Sequence, residues 1–136
     1  MDALPTWERG TPAVLCVAGP HAIPVSTSVR AGDDRVIFAL GRRRDTLARL
    51  REDPRAALCV LAEGVAFTAH GRVAVLEEEL EEVPVAALEL RVERVQDHLA
   101  DGRTQMTDGA QWRWRDPDAA EADKLVVAGL RRLAGQ

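Results

Sequence analysis

Tyrosine is absent from this 136-residue sequence, and other aromatics are few: Trp7, Phe38, Phe67, Trp112 and Trp114. A single-stranded nucleic-acid platform needs several exposed aromatics in register, so their scarcity argues against one. The core must instead be assembled mainly from Val, Leu and Ala. Lysine is nearly missing as well, with Lys124 alone among 18 basic residues, a bias that points to a high-GC bacterial genome rather than to a function. The net charge of −4 argues against the broadly basic face of a nucleic-acid-binding protein. There are two cysteines, Cys16 and Cys59, with no CxxC spacing, and no apolar run nears the roughly 20 residues of a membrane span. The opening MDALPTWERG has neither the basic nor the apolar part of a signal peptide. These absences lead us to expect a cytoplasmic protein, free of membrane and nucleic acid, whose two thiols are small buried hydrophobes.

What is present reads first as strands. Residues 13–18 (AVLCVA) are apolar and end at the turn signal Gly19-Pro20. Residues 22–30 (AIPVSTSVR) are β-branched and roughly alternating, with Pro24 confined to an edge or bulge position. The AGDD turn leads into 35–40, and a second hairpin joins 56–62 to 65–76. Residues 84–95 nearly alternate through Leu88, Leu90, Val92 and Val95, which predicts a further strand with a helix as its rival. Two helices complete the pattern. Residues 46–52 form a short one, stopped by Pro54, with Leu47 and Leu50 facing inward and Arg49 and Arg51 outward. At the C-terminus Asp116 caps a helix that has Pro117 at its first position and Val126, Leu130 and Leu133 along one face. With no repeat or linker, residues 1–136 read as a single mainly β domain, a small closed barrel with a small crossover helix and a terminal helix.

The chemistry-bearing residue types are scattered. His21, His70 and His98 with two distant cysteines make no metal site, and no nucleophile–base–acid arrangement is present, so neither metal nor catalytic residues are assigned. The three histidines read as a turn polar group, a half-buried strand residue and a surface residue. Trp112 and Trp114 read as half-buried strand aromatics. The acidic run EEELEE at 77–82 reads as a solvated turn or strand exit.

The stretch LGRRRDTLARLREDPRA at 40–56 is different because of where its arginines fall. A strand ends, Gly41 turns the chain, Arg42, Arg43 and Arg44 follow, and a helix begins at Asp45-Thr46. A helix N-terminus presents unpaired N–H groups and a partial positive charge, and forked guanidinium groups suit phosphate oxygens. Thr46 adds a hydroxyl. Asp45 would repel a phosphate unless it turns aside to cap the helix. The alternative, a solvated loop and helix face, stands equal on these residues alone.

The order of these elements resembles the flavin-binding split β-barrel family related to pyridoxamine 5′-phosphate oxidase. The resemblance rests on HAIPVSTSV, the strand ending before a basic loop, the helix TLARL, the strand entry DPRAALCVL and HGRVAVLEE, and it covers about residues 10–80. It implies a six-stranded split β-barrel, paired as a homodimer with FMN at the interface. By position it assigns the FMN phosphate to Arg42, Arg43, Arg44 and Thr46, and the edge of the flavin ring to the strand Val25, Ser26, Thr27. Relatives commonly carry Lys at the position of Thr46 and Ser or Thr at that of Ala39.

The function so implied is an FMN-binding oxidoreductase acting on a small-molecule substrate, with the cofactor carrying the redox chemistry. The substrate would sit at the dimer cleft, near Trp112 or Trp114 of the partner. Two alternatives share the fold. A deazaflavin coenzyme could replace FMN, its acidic tail meeting Arg49 and Arg51, or the chain could be a cofactor-free dimeric binding module with its arginines merely solvated.

Overall fold

The computed structural model describes residues 3–42, 44–81 and 83–136; Arg43 therefore lies outside the described residues. The chain forms β1 (Ala13–Val17), β2 (His21–Val25), β3 (Ser28–Ala31), β4 (Arg35–Gly41), α1 (Asp45–Glu52), β5 (Arg55–Ala62), β6 (Val65–Glu77), β7 (Val85–Asp97) and α2 (Pro117–Leu133). The strands make one antiparallel sheet in the order β2-β1-β5-β6-β7-β4-β3. Its two edge strands, β2 and β3, are separated in the chain only by Ser26 and Thr27, so the sheet must curl until its edges meet. Residues 22–30, expected as one strand, are thus one strand bent in the middle. Its first half pairs with β1 and its second with β4. With that bent strand taken as one, the architecture is the six-stranded split barrel with a small crossover helix, α1, and a C-terminal helix.

The barrel interior is built by alternation. Ala13, Leu15 and Val17 of β1 point inward, and Leu58, Val60, Phe38, Phe67, Leu88 and Leu90 meet them from the other strands. Burying each large side chain contributes about 1.5–3 kcal/mol. Trp7, in the segment before β1, meets Phe67 in a tilted arrangement with ring centroids 5.5 Å apart and so packs against the barrel core. The long strands β6 and β7 are bent by a bulge at His70/Gly71, where Gly71 is essential because a Cβ there would strike the Arg91 carbonyl. Residues 84–95 are the strand β7, because neighbours on both sides bury its apolar positions.

A second, smaller core lies outside the barrel. Val126 and Leu130 of α2 cover Val29, Ile37, Leu80 and Ala87, and Gly129 lets the helix approach Leu80 closely. The N-terminus of α2 is as its sequence predicts: Asp116 accepts from the Asp118 amide at 2.9 Å, with Pro117 in the first turn.

Several readings need correction. Cys16 is exposed and Cys59 only half-buried, because both sit on the outer face of the β1–β5 pair while Leu15, Leu58 and Val60 fill the interior. Trp112 and Trp114 are on no strand; they are exposed in the segment between β7 and α2. Among the described residues no helix is long and apolar enough to cross a membrane.

Candidate functional site

The end of β4 and the start of α1 form one wall of an open cleft of about 800 Å³, bordered by Gly41, Arg42, Arg44 and Pro84. Two local features shape it. The Arg42 amide donates to the Pro84 carbonyl at 3.4 Å, tying the basic loop to the β6–β7 connection. Arg44 occupies the position preceding the first helical residue with an extended backbone, and its side chain makes no capping hydrogen bond. The first turn of α1 therefore lacks a side-chain acceptor at its cap, the arrangement that favours an anion.

Asp45 does not cap the helix. It turns along it to take Arg49 Nε at 2.7 Å, and that hydrogen bond is the main reason its carboxyl is held below the usual carboxylate range. Arg49 also donates to the Ala18 carbonyl at 3.3 Å, and it is half-buried rather than fully solvated. The repulsion that Asp45 would exert on a phosphate is thereby partly neutralised.

The acidic run is not simply solvated. Glu78 takes Arg51 at 2.6 Å, Glu79 lies 3.5 Å from Arg42, and Glu77 and Glu81 both hold Arg132 of α2. The basic and acidic stretches, about 30 residues apart in the chain, are thus joined by direct ion pairs beside the cleft. Exposed pairs of this kind contribute about 0–1 kcal/mol each, so an arriving dianion can compete for Arg42 at small cost. Arg44 has no ion-pair partner among the described residues.

The other expected contacts are placed differently. Thr46 is 1% exposed, and its hydroxyl is within 2.9 Å of His21 Nε2, so it faces β2 and not the cleft. His21, read as a turn polar group, opens β2 and ties α1 to the barrel; no signal in the sequence links it to a residue 25 positions away. Ala39 packs against the second core under α2, where a hydroxyl would have to be buried. On the bent strand Val25 is buried in the barrel, Ser26 is exposed, and Thr27 is buried and reaches Asp123 of α2 at 3.4 Å. The structure thus brings Arg42 and Arg44 together at the cleft, whereas Val25, Ser26 and Thr27 at the β2–β3 bend do not border it, and Thr27 is turned toward α2. The hydroxyl of Thr46 is directed elsewhere.

A family model described as "Pyridoxamine 5′-phosphate oxidase" matches residues 6–119, most of the chain. The chain belongs to the pyridoxamine 5′-phosphate oxidase family. Solved structures share the fold at low identity. A candidate pyridoxamine 5′-phosphate oxidase from Listeria innocua is 16% identical with a TM-score of 0.54, over 65% of this chain and 88% of that one. A FAD-binding protein from Mesorhizobium loti is 16% identical with a TM-score of 0.52, over 62% and 81%. An F420 reductase is 10% identical with a TM-score of 0.54, over 65% and 91%. No curated protein matches the chain.

Proposed function

We propose that the protein is an FMN-binding oxidoreductase acting on a small-molecule substrate. The observation that carries this reading is the open cleft where Arg42 and Arg44 flank the uncapped first turn of α1. Those groups suit a phosphate dianion, and the exposed Ser26 at the β2–β3 bend leaves backbone available to the edge of a flavin ring. Bound FMN would supply the hydride- or electron-transfer chemistry. The chain's own part is to hold the phosphate through Arg42 and Arg44, to orient the ring by the bend at Val25–Thr27, and to keep α1 in place through Thr46 and His21.

The family and the FAD-binding and F420-reducing proteins of like fold support a flavin-type cofactor. Arg49 and Arg51, which the acidic tail of a deazaflavin coenzyme would meet, are held in exposed pairs with Asp45 and Glu78 that an anion displaces at small cost, so the choice between the two coenzymes falls to the titration below. A homodimer is part of the proposal. The outer face of β2, β1 and β5 presents Pro24, Val14, Cys16 and Leu61, with Val14 41% and Leu61 47% exposed, and carries a charge only at its end, Arg55. Apolar surface of that extent is expected to be covered by a partner.

Titration of the purified protein with FMN, riboflavin and F420 tests the cofactor. FMN should bind about tenfold or more tighter than riboflavin, because only FMN carries the phosphate. Equal affinity for FMN and riboflavin would remove the phosphate site. Tighter binding of F420 would select the deazaflavin reading, and binding of none would leave the cofactor-free module.

A further inference from the structure

A groove away from the arginine loop runs beside β3, between the N-terminal segment and α2. One compartment, of about 320 Å³, is bordered by Trp7, Ser28, Arg30 and Gln136. The other, of about 410 Å³, is bordered by Thr27, Trp112, Asp123 and Val127. Arg9 and Arg131 border both, so the two guanidinium side chains stand at the junction.

The charges around the groove are unequal in their freedom. Arg30 is committed to the carbonyls of Leu4 and Pro5 and to Asp33, and Lys124 to Glu121. Arg9 and Arg131 have no ion-pair partner among the described residues. Ser28 is 3% exposed, and its hydroxyl has no hydrogen-bond partner. A buried hydroxyl left unpaired is costly, so an acceptor delivered into that compartment would be rewarded twice, by the hydroxyl and by the guanidinium groups. No Asp or Glu side chain borders the Ser28 compartment among the described residues. The other compartment contains Asp123, held by Thr27 and by the Trp114 indole at 3.3 Å, which would turn an anion away. That compartment offers apolar surface instead, from Val127, Ala128 and Trp112, whose indole N–H is fixed on the Gly10 carbonyl at 2.7 Å.

We propose that this groove binds a small planar organic acid, an aryl or heteroaryl carboxylate. The carboxylate lies between Arg9 and Arg131 with Ser28 as a donor, and the ring extends along Trp112 and Val127. A planar acid fits better than a phosphate dianion. Planar guanidinium forks match a carboxylate, and the long groove needs an apolar body to fill its second compartment.

The test uses 2-naphthoate and its neutral counterpart 2-naphthamide, with binding measured by calorimetry and by NMR of the three indole N–H signals. The expected result is that the acid binds about tenfold or more tighter than the amide and shifts the Trp112 signal. Arg9→Gln and Arg131→Gln should each weaken the acid about tenfold, and Ser28→Ala by a smaller factor. Both arginines are exposed, so these variants retain the fold, which their circular dichroism will check. Arg44→Ala should leave naphthoate binding unchanged, whatever it does to FMN, so this site and the phosphate site at Arg42 and Arg44 fail or stand separately. Equal binding of acid and amide, indifference to Arg131→Gln, or no binding of the acid at millimolar concentration overturns the proposal.

Discussion

His21 Nε2 lies 2.9 Å from Thr46 Oγ1, joining the first residue of β2 to the first turn of α1. This contact fixes where the helix sits on the barrel, because Thr46 is almost fully buried and its hydroxyl has this partner. The arginines that border the cleft precede it by only a few residues. Their placement therefore depends on a polar bond hidden beneath them.

Thr46→Val should cost about 1–2 kcal/mol of stability, the price of leaving His21 without its buried partner. Urea denaturation measures this directly. FMN affinity should fall in the same variant although the threonine hydroxyl does not face the cleft, since the first turn of α1 loses its anchor.

Arg44→Ala should weaken FMN binding by about 1.5–3 kcal/mol, the range for a charge-assisted hydrogen bond. Arg49→Ala should weaken it less, because Arg49 is paired with Asp45 and the Ala18 carbonyl. Fluorescence titration of the two variants side by side gives the order.

Gly71→Ala should destabilise the fold by about 2 kcal/mol or more, since the new methyl would run into the Arg91 carbonyl and force β6 from β7 at the bulge. Gly32→Ala is the control. Its turn has space for the methyl, and the cost there comes only from the positive φ of 69°.

Glu89 is 6% exposed and takes Arg35 Nε at 2.6 Å. Arg35→Met would leave a buried carboxylate poorly paired and should cost about 1–3 kcal/mol, discounted because Arg35 is itself a third exposed. Replacing both residues, Arg35→Met with Glu89→Leu, should recover most of that loss in a double-mutant cycle.

Acid should act on the entry to β5. Hydrogen bonds from the Arg55 side chain and amide hold the Asp53 carboxyl down at about 2, against an ordinary 3.8. A carboxyl with a lowered folded pKa stabilises the fold fully above its unfolded value and loses that contribution as pH falls through the folded one. The difference in thermal midpoint between the protein and Asp53→Asn should therefore shrink between about pH 4 and pH 2.

Much of this molecule is determined by local order in the sequence. Alternation in 13–17, the DPR entry at 53–55 and the Asp116-Pro117 cap each specify an element within a few residues, whereas 84–95, with a helix as its rival, became a strand through its neighbours β4 and β6. Period and capping act over one or two turns, so the first three elements were legible, as was the basic loop at a strand–helix junction. Only the tertiary structure decided the rest. Curling the sheet until β2 and β3 meet sets His21 on Thr46, brings Glu78 and Glu79 to Arg51 and Arg42, and lays α2 over Ala39. The same packing leaves Arg9, Ser28 and Arg131 beside one groove, although more than 100 positions separate the last two. Such contacts are set by barrel closure and by apolar burial under α2. Both are properties of the whole chain that no short window of residues encodes.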